Sequence, residues 1–160
     1  MWNLIAVLGL SPLLVFGLYH LMTWFNIAGV NQRVYWKRVA LASAAAHVLL
    51  VTVFFVFVYV EYRASVFTAL GSGYGEFLFE RSEFWRLSAI FDTAATAFIL
   101  GLFSMFERMG VDPPGVVALT IALIYIAGTA QWFFVGGGVG ALLERFWTGL
   151  KTTDDEEWFQ

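Results

Sequence analysis

The sequence predicts an all-α integral membrane protein: a four-transmembrane-helix bundle with a longer loop between helices 2 and 3, forming one polytopic domain over residues 1–160. Of the 160 residues, 60% are hydrophobic and 13% are charged, whereas soluble domains are about 45–50% apolar and about 25% charged. Four apolar runs each supply the ~20 residues that cross the ~30 Å hydrocarbon core of a bilayer. The runs are continuous rather than alternating, which favours helices over a barrel.

The four spans are predicted in order along the chain. The first covers residues 2–25; it is longer than the apolar core of a secretory signal and no Lys or Arg precedes it, so we expect a retained helix. The second covers 36–59, with Lys37 and Arg38 at its start, and the third and fourth cover 87–106 and 115–142. Residues 151–160 form an acidic tail that we expect to be solvated.

The connections between the spans differ in kind. Residues 26–35 are a short polar turn, and residues 107–114 end in a helix-stopping Pro pair. Residues 60–86 combine charges with a glycine-rich apolar stretch that is too short to span, so we expect an interfacial or re-entrant segment there. The cations on the two sides number four and five, a count that decides nothing, but three follow the first span and none precedes it. This pattern favours a cytoplasmic first loop, with both termini outside.

Composition excludes several classes of function. Twelve acidic residues against nine basic ones give a net charge of -3, which argues against nucleic-acid binding because that needs a basic surface. The chain is cysteine-free, so disulfides, iron–sulfur clusters and thiol nucleophiles are excluded. The sequence contains no motif of a serine or metal hydrolase. We therefore predict no catalytic residue.

Polar residues at membrane depth are the candidate functional residues, because ionisable groups inside a span are costly. Counting 1.5 Å per residue from the helix ends nearest the first loop predicts two layers. One lies at about 21–24 Å and the other at about 14–18 Å. The first contains Asp92, Gln131, Thr52 and Ser11, and the second contains His47, Thr96 and Tyr125.

Asp92 is the strongest functional candidate among these residues, and three interpretations of it stay open. It is part of a packing cluster of interhelical hydrogen bonds, or of a proton or cation relay with His47. In the third interpretation it lies nearer the interface and pairs with Arg86 or another loop cation. In the first two, the carboxyl group is expected to face the bundle interior, where Gln131, Thr52 and Ser11 are potential donors.

The two histidines of the chain, His20 and His47, are weak haem candidates. Ligation of haem b by both rings requires them at one depth, and the helix count puts them at about 7–8 Å and about 16 Å. The depths match only if the hairpin turns near Arg33 and Val34. A zinc site would need His20, His47 and Asp92 to converge from different depths.

Small residues repeat along two predicted helices and indicate contact seams, since they let helix backbones approach closely in lipid. The seams are Gly128, Gly136 and Gly140 on the fourth helix, and Ala89, Thr93, Ala97 and Gly101 on the third. They can serve within one chain or between subunits. We also expect Gly136–Gly138, and Pro12 in the first helix, to permit kinks.

These patterns favour a small non-catalytic membrane subunit that packs against another membrane protein or a second copy of itself. Its surroundings are the lipid bilayer, and nucleic acid is not expected as a partner. The alternative is a proton- or ion-coupled transporter or channel component that uses Asp92. A second alternative is a haem b or quinone-associated electron-transfer subunit that uses His20 and His47.

Overall fold

A computed structural model of the chain describes residues 2–64, 92–109 and 113–157. Within these ranges every regular element is helical, and no strand is present. The elements are α1 (Trp2–Trp24), a 3₁₀ helix (Ile27–Gln32), α2 (Tyr35–Ala64), α3 (Thr93–Met109), α4 (Pro113–Leu123), a π-helix (Ile124–Gly128) and α5 (Thr129–Glu157). The interfacial segment predicted between helices 2 and 3 lies outside the described residues, apart from residues 60–64.

Two helical stretches are long and apolar enough to cross a membrane. Helix α2 has 30 residues, which is about 45 Å at 1.5 Å per residue and matches a bilayer with its headgroup regions. The second stretch runs over Ala118–Thr148, with 31 residues. A third apolar stretch, Leu10–Trp24, is shorter. The all-helical class is confirmed for the described residues, and the four-helix bundle stays a prediction.

Several helix boundaries differ from the predicted ones. Helix α2 continues to Ala64 and α3 to Met109, beyond the predicted ends at residues 59 and 106. The Pro pair opens α4, because the fixed φ of proline suits a first helical turn where its missing N–H is not needed. Helix α5 runs to Glu157, into the predicted acidic tail. The predicted start of the third span, residues 87–91, lies outside the described residues.

The chain divides into two compact units, Met1–Ala46 with Trp132–Gln160, and His47–Gln131. In the first unit a small apolar core joins α1, the 3₁₀ helix and the beginning of α2. Its buried members are Met22, Val30 and Ala42, with Val15, Tyr19, Leu41 and Ala45 packed around them. The core holds the α1–α2 hairpin together.

The turn of this hairpin adopts left-handed backbone geometry at three residues, Asn26, Ala28 and Gly29, whose φ angles are 48°, 55° and 65°. Asn and Gly adopt this region readily, whereas Ala rarely does. Side chains fix the turn. The backbone N–H of Asn31 donates to Oδ1 of Asn26 at 3.1 Å, and Nη2 of Arg38 donates to the carbonyl of Asn31 at 2.9 Å.

Helices α2 and α5 pack closely in the first unit, at two glycines of the predicted seam. A Cβ atom on Gly136 would overlap the hydroxyl of Ser43. A Cβ on Gly140 would lie 2.9 Å from Cα of Trp36 and 3.0 Å from Cβ of Val39. These distances are shorter than real Cβ contacts, so the two glycines serve a contact inside the chain.

The second unit has its own apolar core. Val58 from α2, Ile99 from α3 and Ile124 from the π-helix are its buried members. Partly buried side chains surround them: Val51, Phe54, Phe55, Tyr62 and Leu123. Three elements are thereby held around the polar residues described below.

We predict that Gly136→Ala destabilises the protein and that Gly138→Ala does not. The new methyl group at 136 meets Ser43, an overpacking that costs about 1–3 kcal/mol in general. At 138 a Cβ meets nothing within 4 Å, so the higher helix propensity of alanine gives a neutral to slightly favourable effect. Thermal unfolding of the full chain in mild detergent, followed by circular dichroism, measures both. Equal effects would contradict the close α2–α5 contact.

Candidate functional site

A buried histidine–carboxylate pair lies in the second unit. Nε2 of His47 is 2.9 Å from Oδ2 of Asp92, and the two side chains are 2% and 3% exposed. Removing two charges from water costs several kcal/mol per ion, and only good geometry with further hydrogen bonds offsets that cost. The pair is therefore the feature of this unit that most needs a physical explanation.

Asp92 owes its position to the beginning of α3. It lies immediately before the first helical residue, and its carbonyl accepts the N–H of Thr96 at 2.7 Å, as the carbonyl of an N-cap residue does. Aspartate is favoured at this position, and the positive end of the helix dipole stabilises a carboxylate there. The sequence count placed Asp92 inside a helix beginning at residue 87. In the structure Asp92 is instead the residue directly before α3, which begins at Thr93.

The second partner of His47 lies directly after the π-helix, at the start of α5. Leu123 and Thr129, which flank Ile124–Gly128, both have right-handed helical backbone angles, so the helix continues through the wider turn. Such π-segments shift the register of side chains and occur frequently at functional sites. Oγ1 of Thr129 lies 3.0 Å from Nδ1 of His47. Both ring nitrogens of His47 consequently have partners.

Gly128 makes room for the pair. A Cβ atom at this position would lie 2.6 Å from Nε2 and 2.7 Å from Cε1 of His47, and 3.0 Å from Cγ of Asp92. No side chain fits there without moving the ring or the carboxyl group. The sequence predicted Gly128 as a helix-packing residue, and the structure places it against the two ionisable side chains.

A second polar contact joins Thr52 to Tyr125. The hydroxyl of Thr52 donates to the carbonyl of Val48 at 2.7 Å. Since a threonine has only one hydroxyl proton, the Tyr125 O–H donates to Oγ1 of Thr52, at 2.9 Å. The Tyr125 ring also stacks on Phe55, with centroids 6.0 Å apart. Thr52 is exposed, so this pair lies at the surface of the unit.

These two contacts join residues that the depth count assigned to different layers. Asp92 and Thr52 were predicted at about 21–24 Å, and their partners His47 and Tyr125 at about 14–16 Å. The count assumed straight α-helices. It also placed Asp92 inside a helix rather than directly before one. In addition, it assumed that the second and fourth spans both begin on the side of the first loop, whereas the contacts His47–Thr129 and Thr52–Tyr125 show that these two stretches run antiparallel.

The remaining predicted polar residues have separate environments. Thr96 is buried, and its hydroxyl oxygen has no hydrogen-bond partner within the described ranges. Gln131 is half-buried in the second unit, and Ser11 is buried on α1 in the first; each has at least one interaction partner. Thr96 thus adds a buried hydroxyl one helical turn from Asp92.

The haem and zinc hypotheses find little support in the described residues. His20 is exposed on α1, where its ring contacts Phe16 and Tyr19 at centroid distances of 4.4 and 5.5 Å. Iron ligation by His47 would require the loss of its contact with Asp92 or Thr129. No group of three or more His, Asp or Glu side chains gathers in the described part of the chain.

The predicted small-residue seam of the third helix faces outward as far as it is described. Thr93, Ala97 and Gly101 are exposed on α3, and a Cβ on Gly101 would meet nothing within 4 Å. Ala89 lies outside the described residues. This seam therefore differs from that of Gly136 and Gly140, which is occupied by α2.

Sequence reasoning missed two residues that shape these contacts, Thr129 at the histidine and Ser43 beneath Gly136. Both are small hydroxyl residues inside long apolar runs, and a polar side chain in such a run was the available signal. Thr129 also follows the seam residue Gly128 directly in the sequence, and Ser43 lies opposite Gly136 in the structure.

No protein-family model matches the chain, and neither a curated protein nor a solved structure is similar enough to it to count as a match. Functional interpretation therefore depends on the geometry and chemistry of the residues themselves.

We predict that His47 and Asp92 are strongly coupled in stability. In His47→Leu the carboxyl group stays buried without its partner, which lowers the free energy of unfolding by about 3–5 kcal/mol. The double variant His47→Leu/Asp92→Leu removes both polar groups and should recover much of that loss. The measurement is a double-mutant cycle by thermal unfolding in detergent. Strictly additive losses would show that the two side chains do not depend on each other.

Proposed function

We propose that the chain is a multi-pass integral membrane protein that serves as a small non-catalytic subunit and packs against a partner or a second copy. The observation that carries this proposal is the outer surface of its longest helices. Phe57 on α2 is 70% exposed, and on α5 Phe134 is 74% and Leu142 70% exposed. Large apolar patches of this kind mark membrane or protein contact surfaces.

The proposed architecture is multi-pass, with the first loop cytoplasmic and the N-terminus on the opposite side. Gly140 of α5 lies against Trp36 at the start of α2, so the end of α5 lies on the side of the first loop, which differs from the predicted position of the C-terminus outside. Aromatic residues at the ends of helices support this architecture. Trp24 ends α1 and is 85% exposed, and Trp36 stands in the first turn of α2. Tryptophan anchors helices at headgroup depth, and the cations Lys37 and Arg38 follow directly.

Helix α3 is the proposed contact surface of the subunit. Its residues Thr93, Ala97 and Gly101 lie four apart, so they share one face of the helix, and all three are exposed. Helices in lipid associate through such small residues, because apolar burial gives no driving force there. The glycines of α5 are already in contact with α2, which leaves α3 as the better surface for another chain.

The proposal predicts that the full chain stays with membranes during washes at alkaline pH, because only detergent replaces the lipid around its apolar surface. Immunoblotting of the pellet and supernatant measures this. Recovery of monodisperse protein from a surfactant-free aqueous extract would overturn the membrane assignment.

In gentle detergent, Gly101→Leu should reduce the particle mass to that of one chain, while Gly17→Leu, at an exposed glycine of α1, leaves the mass unchanged.

A second candidate function, a component of proton-coupled transport, is favoured by the buried His47–Asp92–Thr129 arrangement. The hydroxyl of Thr129 can donate to a neutral Nδ1 or accept from a protonated one. The site can therefore gain or lose a proton without changing its heavy-atom partners. The hydroxyl of Thr96, buried one turn from Asp92, is available to hydrogen-bond a water molecule or an ion.

This candidate predicts that a proton is exchanged at the pair when the pH of the surrounding solution is changed. Infrared difference spectra of the reconstituted protein should contain imidazole or carboxyl bands that disappear in Asp92→Asn. That variant keeps the size and hydrogen bonding of the side chain but removes the titratable proton. Thr129→Val should alter the bands and Thr129→Ser should preserve them. Identical spectra for the wild type and Asp92→Asn would exclude proton exchange here.

A further inference from the structure

An open apolar groove lies in the first unit, beside the first turn of α2. It has a volume of ≈ 380 Å³ and is lined by Trp36, Phe133, Phe134, Gly137, Gly138 and Ala141. The two glycines create it, since they leave the surface of α5 without side chains between aromatic rings and Ala141. A Cβ on Gly138 would meet nothing within 4 Å, so the space above it is open.

One wall of the groove carries a positive charge. Nζ of Lys37 lies 5.3 Å from the centre of the Trp36 ring, which is itself a lining residue. In the described part of the chain, no carboxylate lies within ion-pair distance of this ammonium group. The neighbouring cation Arg38 is engaged with the carbonyls of Arg33 and Asn31, at 2.8 and 2.9 Å. Lys37 therefore remains available to an anion outside the chain.

Other charged side chains near Lys37 add to the positive charge at this end of the unit. The described charged side chains are Arg33, Lys37 and Arg38 near the α1–α2 turn, with Glu144 and Arg145 on α5 one turn beyond Ala141. Four cations thus stand against one carboxylate in this set. The combination is an apolar groove that opens beside a basic surface.

We propose that the groove and Lys37 bind an anionic phospholipid, with an acyl chain in the groove and the headgroup phosphate at the ammonium group. This inference depends on the proposed membrane location. If α2 and α5 are surrounded by lipid, an open apolar groove between them fills with acyl chain. Basic residues at the cytoplasmic surface attract anionic headgroups, and the first loop is predicted to be cytoplasmic.

The chemistry of the walls selects this occupant. The walls of the groove are almost entirely apolar, so they offer little to orient a polar ring such as a quinone. A hydrocarbon chain needs none, and the phosphate of its headgroup complements Lys37. Trp36 joins the two parts, because its indole lies between the apolar groove and the charged group, as is typical of tryptophan at headgroup depth.

Native mass spectrometry of the full chain in detergent tests the proposal. Phosphatidylglycerol and phosphatidylcholine with identical acyl chains are added separately, and bound lipid is counted. The wild type should prefer phosphatidylglycerol. Lys37→Gln should reduce that preference about 5-fold, the factor expected for one basic residue near an anionic surface. Lys37→Arg should restore it, and Gly138→Leu, which fills the groove, should reduce binding of both lipids.

Matched controls separate these effects from general ones. Arg108→Gln removes one exposed cation elsewhere, and Gly17→Leu adds the same side chain at another open glycine; both should behave as wild type. An unchanged preference in Lys37→Gln, or equal losses in Gly17→Leu and Gly138→Leu, would overturn the proposal. So would dissociation of a dimer by Gly138→Leu with lipid counts unchanged, since the groove would then be an interface between copies. A chain that stays in membranes but shows no preference contradicts only this inference, whereas a chain released by alkaline washing contradicts the membrane assignment.

Discussion

The structure depends on one constraint: ionisable groups buried within an apolar chain must find partners in the chain itself. Lipid or protein interior offers no water, and an unmatched buried polar group costs free energy on the scale of total stability. His47 and Asp92 meet this constraint through each other, and the histidine also contacts Thr129. In the structure α3 begins directly after Asp92, and the helix that follows α4 widens directly before Thr129.

Glycine decides how closely the helices approach in both units. Gly128 lies against the imidazole and the carboxyl group, whereas Gly136 and Gly140 lie against α2. Gly128 belongs to the π-helix of the second unit, whereas Gly136 and Gly140, four residues apart, share one face of α5 in the first unit. The first is required by a polar contact and the other two by backbone proximity, so one sequence pattern serves two different physical purposes. The exposed glycine of α3 belongs to neither group.

The sequence predicted the elements better than their contacts. The first helix was placed within one residue of its observed end at Trp24, because an uninterrupted apolar run marks its own limits. The identity of Asp92 and His47 as the important polar residues also followed from their cost in an apolar run. Their pairing did not, since it depends on a helix start at Thr93 and on a π-segment whose residues Ile124–Gly128 look like an ordinary apolar helix. Lys37 and Gly138 can be read from the sequence, but the groove beside them could not be predicted, because it forms only where two helices pack.

Whether the buried pair only stabilises the fold or also exchanges a proton depends on the partner of Nδ1 of His47. A carbonyl oxygen there would accept only, and would fix the proton on that nitrogen in every state. A hydroxyl group both donates and accepts, so Thr129 tolerates a neutral and a charged imidazole equally in hydrogen-bond terms. A pair that only stabilises the helix contact does not need this tolerance, because one charge state with fixed donors would stabilise the contact equally well. The hydroxyl of Thr129 at Nδ1, in place of a carbonyl, is thus the feature that favours proton exchange in addition to a structural role.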